Sequence, residues 1–133
     1  MFKEVITPRF YETDAYGHIN NTVVNQWFET ARRPIFELFA RGPDIKDWCI
    51  ILARTEVDFI GQTYYGKDVE IQSCIERIGN KSFVVGQEMY QDGGLVARGK
   101  AVQVHFDQQL QVSLPLTVEQ IEQLAKWMKP GDQ

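Results

Sequence analysis

An acid at Asp14 and an imidazole at His18 flank Gly17, just ahead of a long apolar stripe. Val23, Val24, Trp27, Phe28, Ala31, Ile35, Leu38 and Phe39 recur at helical spacing, which predicts a helix with one broad apolar face. Asn20, Asn21 and Thr22 fall where that helix begins and are good capping residues. A helix N-terminus presents unpaired backbone N–H groups and a partial positive charge. Amide donors aimed at a developing oxyanion, beside a base or nucleophile, are the parts acyl transfer needs. Asp14 is the candidate that attacks a carbonyl or activates water. An Asp in a loop also commonly caps its own backbone, and both roles stay open. His18, with an unperturbed pKa of about 6.5, could be a second general base. Its plainer role is to fix the turn through side-chain hydrogen bonds.

The elements around this stretch read as strand, helix, four strands, short helix. Phe2–Tyr11 alternates as a first strand, with Val5, Thr7, Arg9 and Tyr11 on one face and Ile6 and Phe10 on the other. Pro8 marks it as an edge or a bulge. The long helix should kink at Pro34, which removes the bond to the Thr30 carbonyl, and end at Arg41–Gly42–Pro43. Cys49–Ile60 follows as a strand, with Cys49, Ile51, Ala53, Val57 and Phe59 inward and Arg54, Glu56 and Asp58 outward. Asp68–Ile78, Lys81–Gln91 and Leu95–Phe106 complete a meander, with turns at Gly79–Asn80 and Asp92–Gly93–Gly94. Along the last of these, Val96, Val102, Val104 and Phe106 are read as one face. Thr117 with Gln120 forms a capping box that opens a short helix at about Val118–Met128, its apolar side made by Ile121, Leu124 and Met128. That order predicts an α+β fold, with helices against one antiparallel sheet. One helix covers one face only and leaves strand edges open, so a symmetric oligomer is expected.

Composition narrows the classes. The chain has 133 residues, 44% of them apolar and 24% charged, as expected for one globular domain over 1–133. Its net charge of -4 argues against a general nucleic-acid binder. Two cysteines, Cys49 and Cys74, with no CxxC and no leader pattern, read as reduced thiols in a cytoplasmic protein. No membrane span, metal-ligand spacing, Gly-rich phosphate loop or GxSxG elbow is found, so neither a metal nor a cofactor is expected.

Tyr11-Glu12-Thr13-Asp14, Gly17-His18-Ile19-Asn20-Asn21 and Phe28-Glu29-Thr30-Ala31-Arg32, with Gly79-Asn80-Lys81-Ser82-Phe83 further on, resemble a known pattern. The chain is similar to the hot-dog-fold acyl-CoA thioesterases of the 4-hydroxybenzoyl-CoA thioesterase group. The resemblance implies a curved antiparallel sheet of about five strands wrapped around a long central helix. It places the catalytic carboxylate on Asp14, in a loop with Gly17, His18 and Asn20, and the carbonyl-polarising N–H on or next to Asn21. Lys81, with Ser82 beside it, would contact the nucleotide end of coenzyme A. Val24 stands where relatives often carry an aromatic residue, and it and Asn25 should face or flank the acyl pocket. In other hot-dog thioesterases a helix carboxylate does the chemistry, which makes Glu29 a rival to Asp14. Its plainer role is pairing with Arg32 or Arg33. Arg54, Lys67, Arg77 and Arg98 are further candidates for phosphate contacts, though basic residues on strands are usually just solvated.

The expectation is an acyl-CoA thioesterase without a metal or redox cofactor, coenzyme A being part of the substrate. Acyl-carrier-protein thioesters are the alternative substrate, and the assembly is a homodimer or a dimer of dimers (a homotetramer). Three rival readings are an acyl-thioester dehydratase or hydratase, a non-catalytic acyl-thioester sensor, and a structural oligomer whose helix-start loop is only a cap.

Overall fold

The computed structural model describes residues 1–129. Five antiparallel strands carry the sheet: β1 (Phe2–Ile6), β2 (Ile50–Phe59), β3 (Val69–Ile78), β4 (Ser82–Gln91) and β5 (Gly94–Asp107). They lie in the order β1-β3-β4-β5-β2, and a short β6 (Val112–Ser113) adds to β5. Helices α1 (Asn21–Ala31) and α2 (Arg33–Leu38) lie against one face, and α3 (Val118–Lys126) closes the chain.

Local chemistry explains each turn. Asp92 and Gly93 both take positive φ, 54° and 77°, which is the geometry that matches a tight hairpin to the strand twist. Register shifts at Leu52/Arg54, Ile75/Arg77 and Met89/Tyr90 insert bulges, and bulges bend strands, so the sheet curls around the helices. Gly99 lets helix and sheet meet closely: a Cβ there would lie 2.9 Å from the Phe28 ring.

The interior forms two apolar clusters. Val23, Val24, Trp27, Phe28 and Ala31 of α1 pack on Val69, Ile71, Met89 and Ala97. Ile35 and Phe39 pack on Ile75, Phe83, Val85, Ala101 and Leu124. α3 is opened as its residues dictate, with Gln120 N–H donating to Thr117 Oγ1 at 3.1 Å and Thr117 N–H to Gln120 Oε1 at 2.9 Å.

Several expectations change. The first strand stops at Ile6, and Phe10–Glu12 form a 3-10 turn, so Tyr11 lies outside the sheet. Beyond Ile6 the period-2 pattern is carried by residues that face water: Phe10 and Tyr11 are both exposed. The central helix is two helices. Arg32 leaves helical geometry at φ -83°, ψ 3°, and Pro34 sits in the first turn of α2, where no N–H is missed. In β2 the bulge at Ala53 reverses the alternation. Leu52 and Thr55 share a hollow with α1 and Val57 packs on the core beside it, while Ile51 shares the far face with Val104. Phe59, expected inward, lies opposite Ala97 on the helix-facing side but remains exposed, as does Leu52. In β5 the helix-facing row is Ala97, Gly99, Ala101, Gln103 and His105, all buried, and Val102, Val104 and Phe106 line the opposite, half-buried face. Ile121 is exposed, and Leu124 anchors α3 in the core with Met128 and Trp127 packed against the same cluster.

Both outer strands keep one open edge. Among the described residues β1 pairs only with β3, and β2 only with β5 and nothing beyond.

Candidate active site

The site loop runs from the 3-10 turn to the start of α1 and is closed by its own backbone. Thr13 pairs with Ile19 as an isolated bridge, and Asp14 N–H donates to His18 O at 2.7 Å. Gly17, at φ 79°, makes the reversal. The Asp14 side chain organises the turn: Oδ1 accepts from Tyr16 N–H at 2.8 Å and His18 N–H at 3.1 Å. Among the described residues Oδ2 accepts nothing, and the residue is exposed. The capping role and the chemical role are therefore compatible in one carboxylate. One oxygen is held by two amides, which fixes the orientation of the other.

The loop delivers the chain into α1. Asn20 is the N-cap, its Oδ1 accepting from Thr22 N–H at 3.0 Å and from Thr22 Oγ1 at 2.9 Å. Asn20 O takes the Val23 N–H at 2.9 Å. Asn21 N–H, the first of the helix, has no hydrogen-bond acceptor among the described residues. It is the open donor that a carbonyl oxygen at the helix N-terminus would meet.

Other candidates divide. His18 is half-buried, its ring edge-on to Tyr64 at 5.2 Å and tilted against Tyr16 at 6.4 Å, and its backbone bridges to Tyr64. Val24 is buried in the core and does not reach the surface, whereas its neighbour Asn25 does. Asn25 lines a hollow with Thr22, Gln26, Glu29, Arg32, Leu52 and Thr55, between α1 and the open edge of β2. Glu29 thus opens onto a groove along the helix rather than onto the Asp14 loop, and neither Arg32 nor Arg33 is its ion-pair partner. Arg33 pairs instead with Glu37, at 3.3 Å. Arg32 is buried, donating from Nη1 to Gln87 Oε1 at 3.1 Å, while Gln87 Nε2 donates to Phe28 O at 2.9 Å and Ser73 Oγ at 3.1 Å. Burial pushes this guanidinium below its ordinary pKa, and the charge of Glu29 opposes the shift.

Lys81 and Ser82 are not brought to Asp14. Ser82 starts β4 and Lys81 comes just before it, whereas the Asp14 loop is bound to the segment after β2, which is stapled to Gln91 at the other end of β4. A strand of 10 residues spans roughly 30 Å, so within one chain these groups belong to opposite ends of the sheet. Of the other basic candidates, Lys67 pairs with Asp92, Arg98 with Glu88 at 3.8 Å, and Arg54 with Glu56 at 3.9 Å. Arg77 stays exposed on β3. No group of three or more His, Cys, Asp and Glu among the described residues is placed to hold a metal ion. No helix among them is long and apolar enough to cross a membrane.

Three features escaped the sequence reading. Phe10, Tyr11, Tyr16, Tyr64 and Tyr65 are exposed around the loop, with Phe10 edge-on to Tyr65 at 5.8 Å. Glu12 bonds Trp27, and Gln91 bonds the segment beside His18. Glu12 had a signal: an acid three residues after Arg9 is capping spacing, and its Oε1 accepts from Arg9 N–H at 2.7 Å. Gln91 had none, because its partners lie 24 and 27 residues away in the chain.

Comparison with known proteins agrees with this architecture. No sequence among curated proteins matches the chain. A predicted thioesterase from Bacillus stearothermophilus superposes with a TM-score of 0.92 at 42% identity, covering 98% of both chains. A thioesterase from Thermus thermophilus, complexed with coenzyme A and Zn, gives 0.81 at 25% identity, covering 92% of this chain and 95% of that one. A mutant 4-hydroxybenzoyl-CoA thioesterase complexed with 4-hydroxybenzoyl-CoA shares the fold, with a TM-score of 0.77 at 18% identity over 91% and 96% of the two chains. The Thioesterase-like superfamily model matches residues 8–128. With a curled antiparallel sheet closed over its helices and that match across nearly its whole length, the chain belongs to the thioesterase-like superfamily and has the hot-dog fold of a thioester hydrolase.

Proposed function

We propose that the protein hydrolyses an acyl-CoA to the free acid and coenzyme A, with Asp14 as nucleophile or general base and Asn21 N–H polarising the carbonyl. One observation carries this reading. In a single loop, a carboxylate oriented by two amides leaves Oδ2 open, and the same loop ends at a helix whose first N–H is unpaired. A thioester has a good leaving group, so one carboxylate suffices, either attacking the carbonyl carbon or taking a proton from the attacking water. The Asn21 N–H and the helix dipole then act on the oxygen where charge develops. His18, packed against Tyr64, holds the loop in this reading and takes no part in the attack on the carbonyl.

The Thermus thermophilus relative, at 25% identity, was obtained with coenzyme A, which supports a coenzyme A thioester as the substrate. A homodimer formed through the open β2 edge would cover Leu52, Phe59 and the groove along α1, and would build the acyl channel between subunits. Lys81 and Ser82 would contact coenzyme A only from another copy, in a dimer of dimers.

Thiol release from a panel of short, long and aromatic acyl-CoAs tests the proposal, with Asp14→Asn in parallel. Turnover by the unmodified protein and loss of at least 100-fold in kcat for the folded variant is expected, the scale of removing the reacting group. Absence of turnover across the panel, or a fully active variant, overturns it.

A further inference from the structure

Glu12 joins parts of the chain that local structure does not connect. Trp27 is buried on α1, and its indole N–H, a donor that needs an acceptor when buried, reaches Glu12 Oε2 at 3.0 Å. The other carboxylate oxygen takes Arg9 N–H at 2.7 Å, and the backbone carbonyl of the same residue takes Asn20 N–H at 2.9 Å. One residue therefore grips the turn before the Asp14 loop, the helix cap after it, and the second turn of α1. On the far side of the loop Gln91, also buried, does a similar job. Its Oε1 accepts from Tyr64 N–H at 2.9 Å, and its Nε2 donates to Tyr64 O at 2.8 Å and Lys67 O at 3.0 Å. The segment so held carries Thr63 O, which takes Ile19 N–H at 2.8 Å, and Tyr64, which bridges His18.

We infer that Glu12 and Gln91 are positioning residues that brace the Asp14–Asn20 loop from opposite sides, setting the carboxylate of Asp14 against the start of α1. The inference rests on the thioesterase reading above. Neither side chain touches the reacting atoms; each acts through the loop. The loop needs such supports because its tip is tied only to itself, by backbone bonds and the Asp14 carboxylate, with Tyr16, Gly17 and Asp14 all exposed. A displacement of about 1 Å at a reacting group can cost on the order of 100-fold in rate, so partial loosening should cost about tenfold.

The test compares the intact protein with Glu12→Gln, Trp27→Phe, their double variant and Gln91→Met. An amide at position 12 must turn its NH2 toward one of the two N–H donors, while the fold of the sheet is untouched. Expected results for Glu12→Gln are a kcat about tenfold lower, KM within about twofold, and a shifted Trp27 indole N–H resonance. Gln91→Met should reproduce the kcat loss without the indole shift. The losses from Glu12→Gln and Trp27→Phe should fail to multiply in the double variant. The inference falls if Glu12→Gln and Gln91→Met both keep kcat within about twofold of the intact protein. It falls equally if kcat returns fully when each variant is assayed well below its melting temperature, which would make the role one of stability alone. Should Glu12→Gln not fold, Gln91→Met and Trp27→Phe decide on the same criteria. If the intact protein turns over no acyl-CoA, the thioesterase reading fails, and hydrogen exchange at Ile19 and Asn20 judges the brace. Exchange about tenfold faster in Glu12→Gln and Gln91→Met sustains it, and unchanged exchange removes it.

Discussion

Asp14 shows how one side chain can hold a loop and still be available for chemistry. Its Oδ1 spends its lone pairs on Tyr16 and His18 N–H, so rotation of the carboxylate is restrained before any substrate arrives. The oxyanion donor can be tested with equal economy. Asn21 is the first residue of α1, Asn20 before it is extended at φ -61°, ψ 136°, and proline is well tolerated in that position. Asn21→Pro deletes the single N–H proposed to polarise the carbonyl and leaves the helix its geometry. It should lower kcat on the order of 100-fold or more with little change in melting temperature; steady-state kinetics beside a thermal melt read both. The residue types at these positions were legible from the chain. What was not legible was which surface the polar side of α1 would meet: Val24, part of the apolar stripe, is buried, while Asn25 opens onto the hollow beside β2. Helical spacing brings residues to a common side without saying which side the sheet will cover.

At the scale of elements, curvature and helix contact matter most. Gly99 on β5 faces the Phe28 ring, and a methyl group placed 2.9 Å from it must push α1 away from the sheet. Gly99→Ala should destabilise the protein by about 1–3 kcal/mol, as overpacking does, measured as a lower denaturant midpoint at constant m-value. Thr117→Ala removes one half of the capping box of α3 and should cost about 1 kcal/mol, with no effect on turnover. The hairpins and the α3 cap could be read from local residue types, because a turn or a cap is decided within four residues. The parity of β2 could not. The bulge at Ala53 answers to pairing with β5, half the chain away, and moves Ile51 to the outer face.

On the scale of the whole molecule, the open edge of β2 and the distance between Asp14 and Lys81 raise the same question of assembly. A ten-residue strand with an unpaired edge and exposed Leu52 and Phe59 invites a second copy. The dimer reading predicts a solution mass of twice one chain by sedimentation. Thr55→Lys with Leu52→Glu on that strand should then yield monomers and lose turnover in step. A monomeric intact protein with full activity would refute it. Lys81→Ala should raise KM for acyl-CoA several-fold with kcat unchanged if another copy's Asp14 loop stands beside it; an unaltered KM takes Lys81 out of the site.

Sequence by itself determined the α+β order, the hairpins, the capped helices and the loop that carries Asp14, His18 and Asn20 into α1. These follow from contacts between near neighbours in the chain, where residue type and backbone preference act directly. Pro34 marked the interruption of the central helix, which falls at Arg32; only the tertiary structure decided that β2 turns Leu52 and Thr55 toward α1 and that Glu12 and Gln91 hold the loop from either side. Each of these depends on groups brought together from distant parts of the chain, and residue spacing along one segment carries no record of what packs against it.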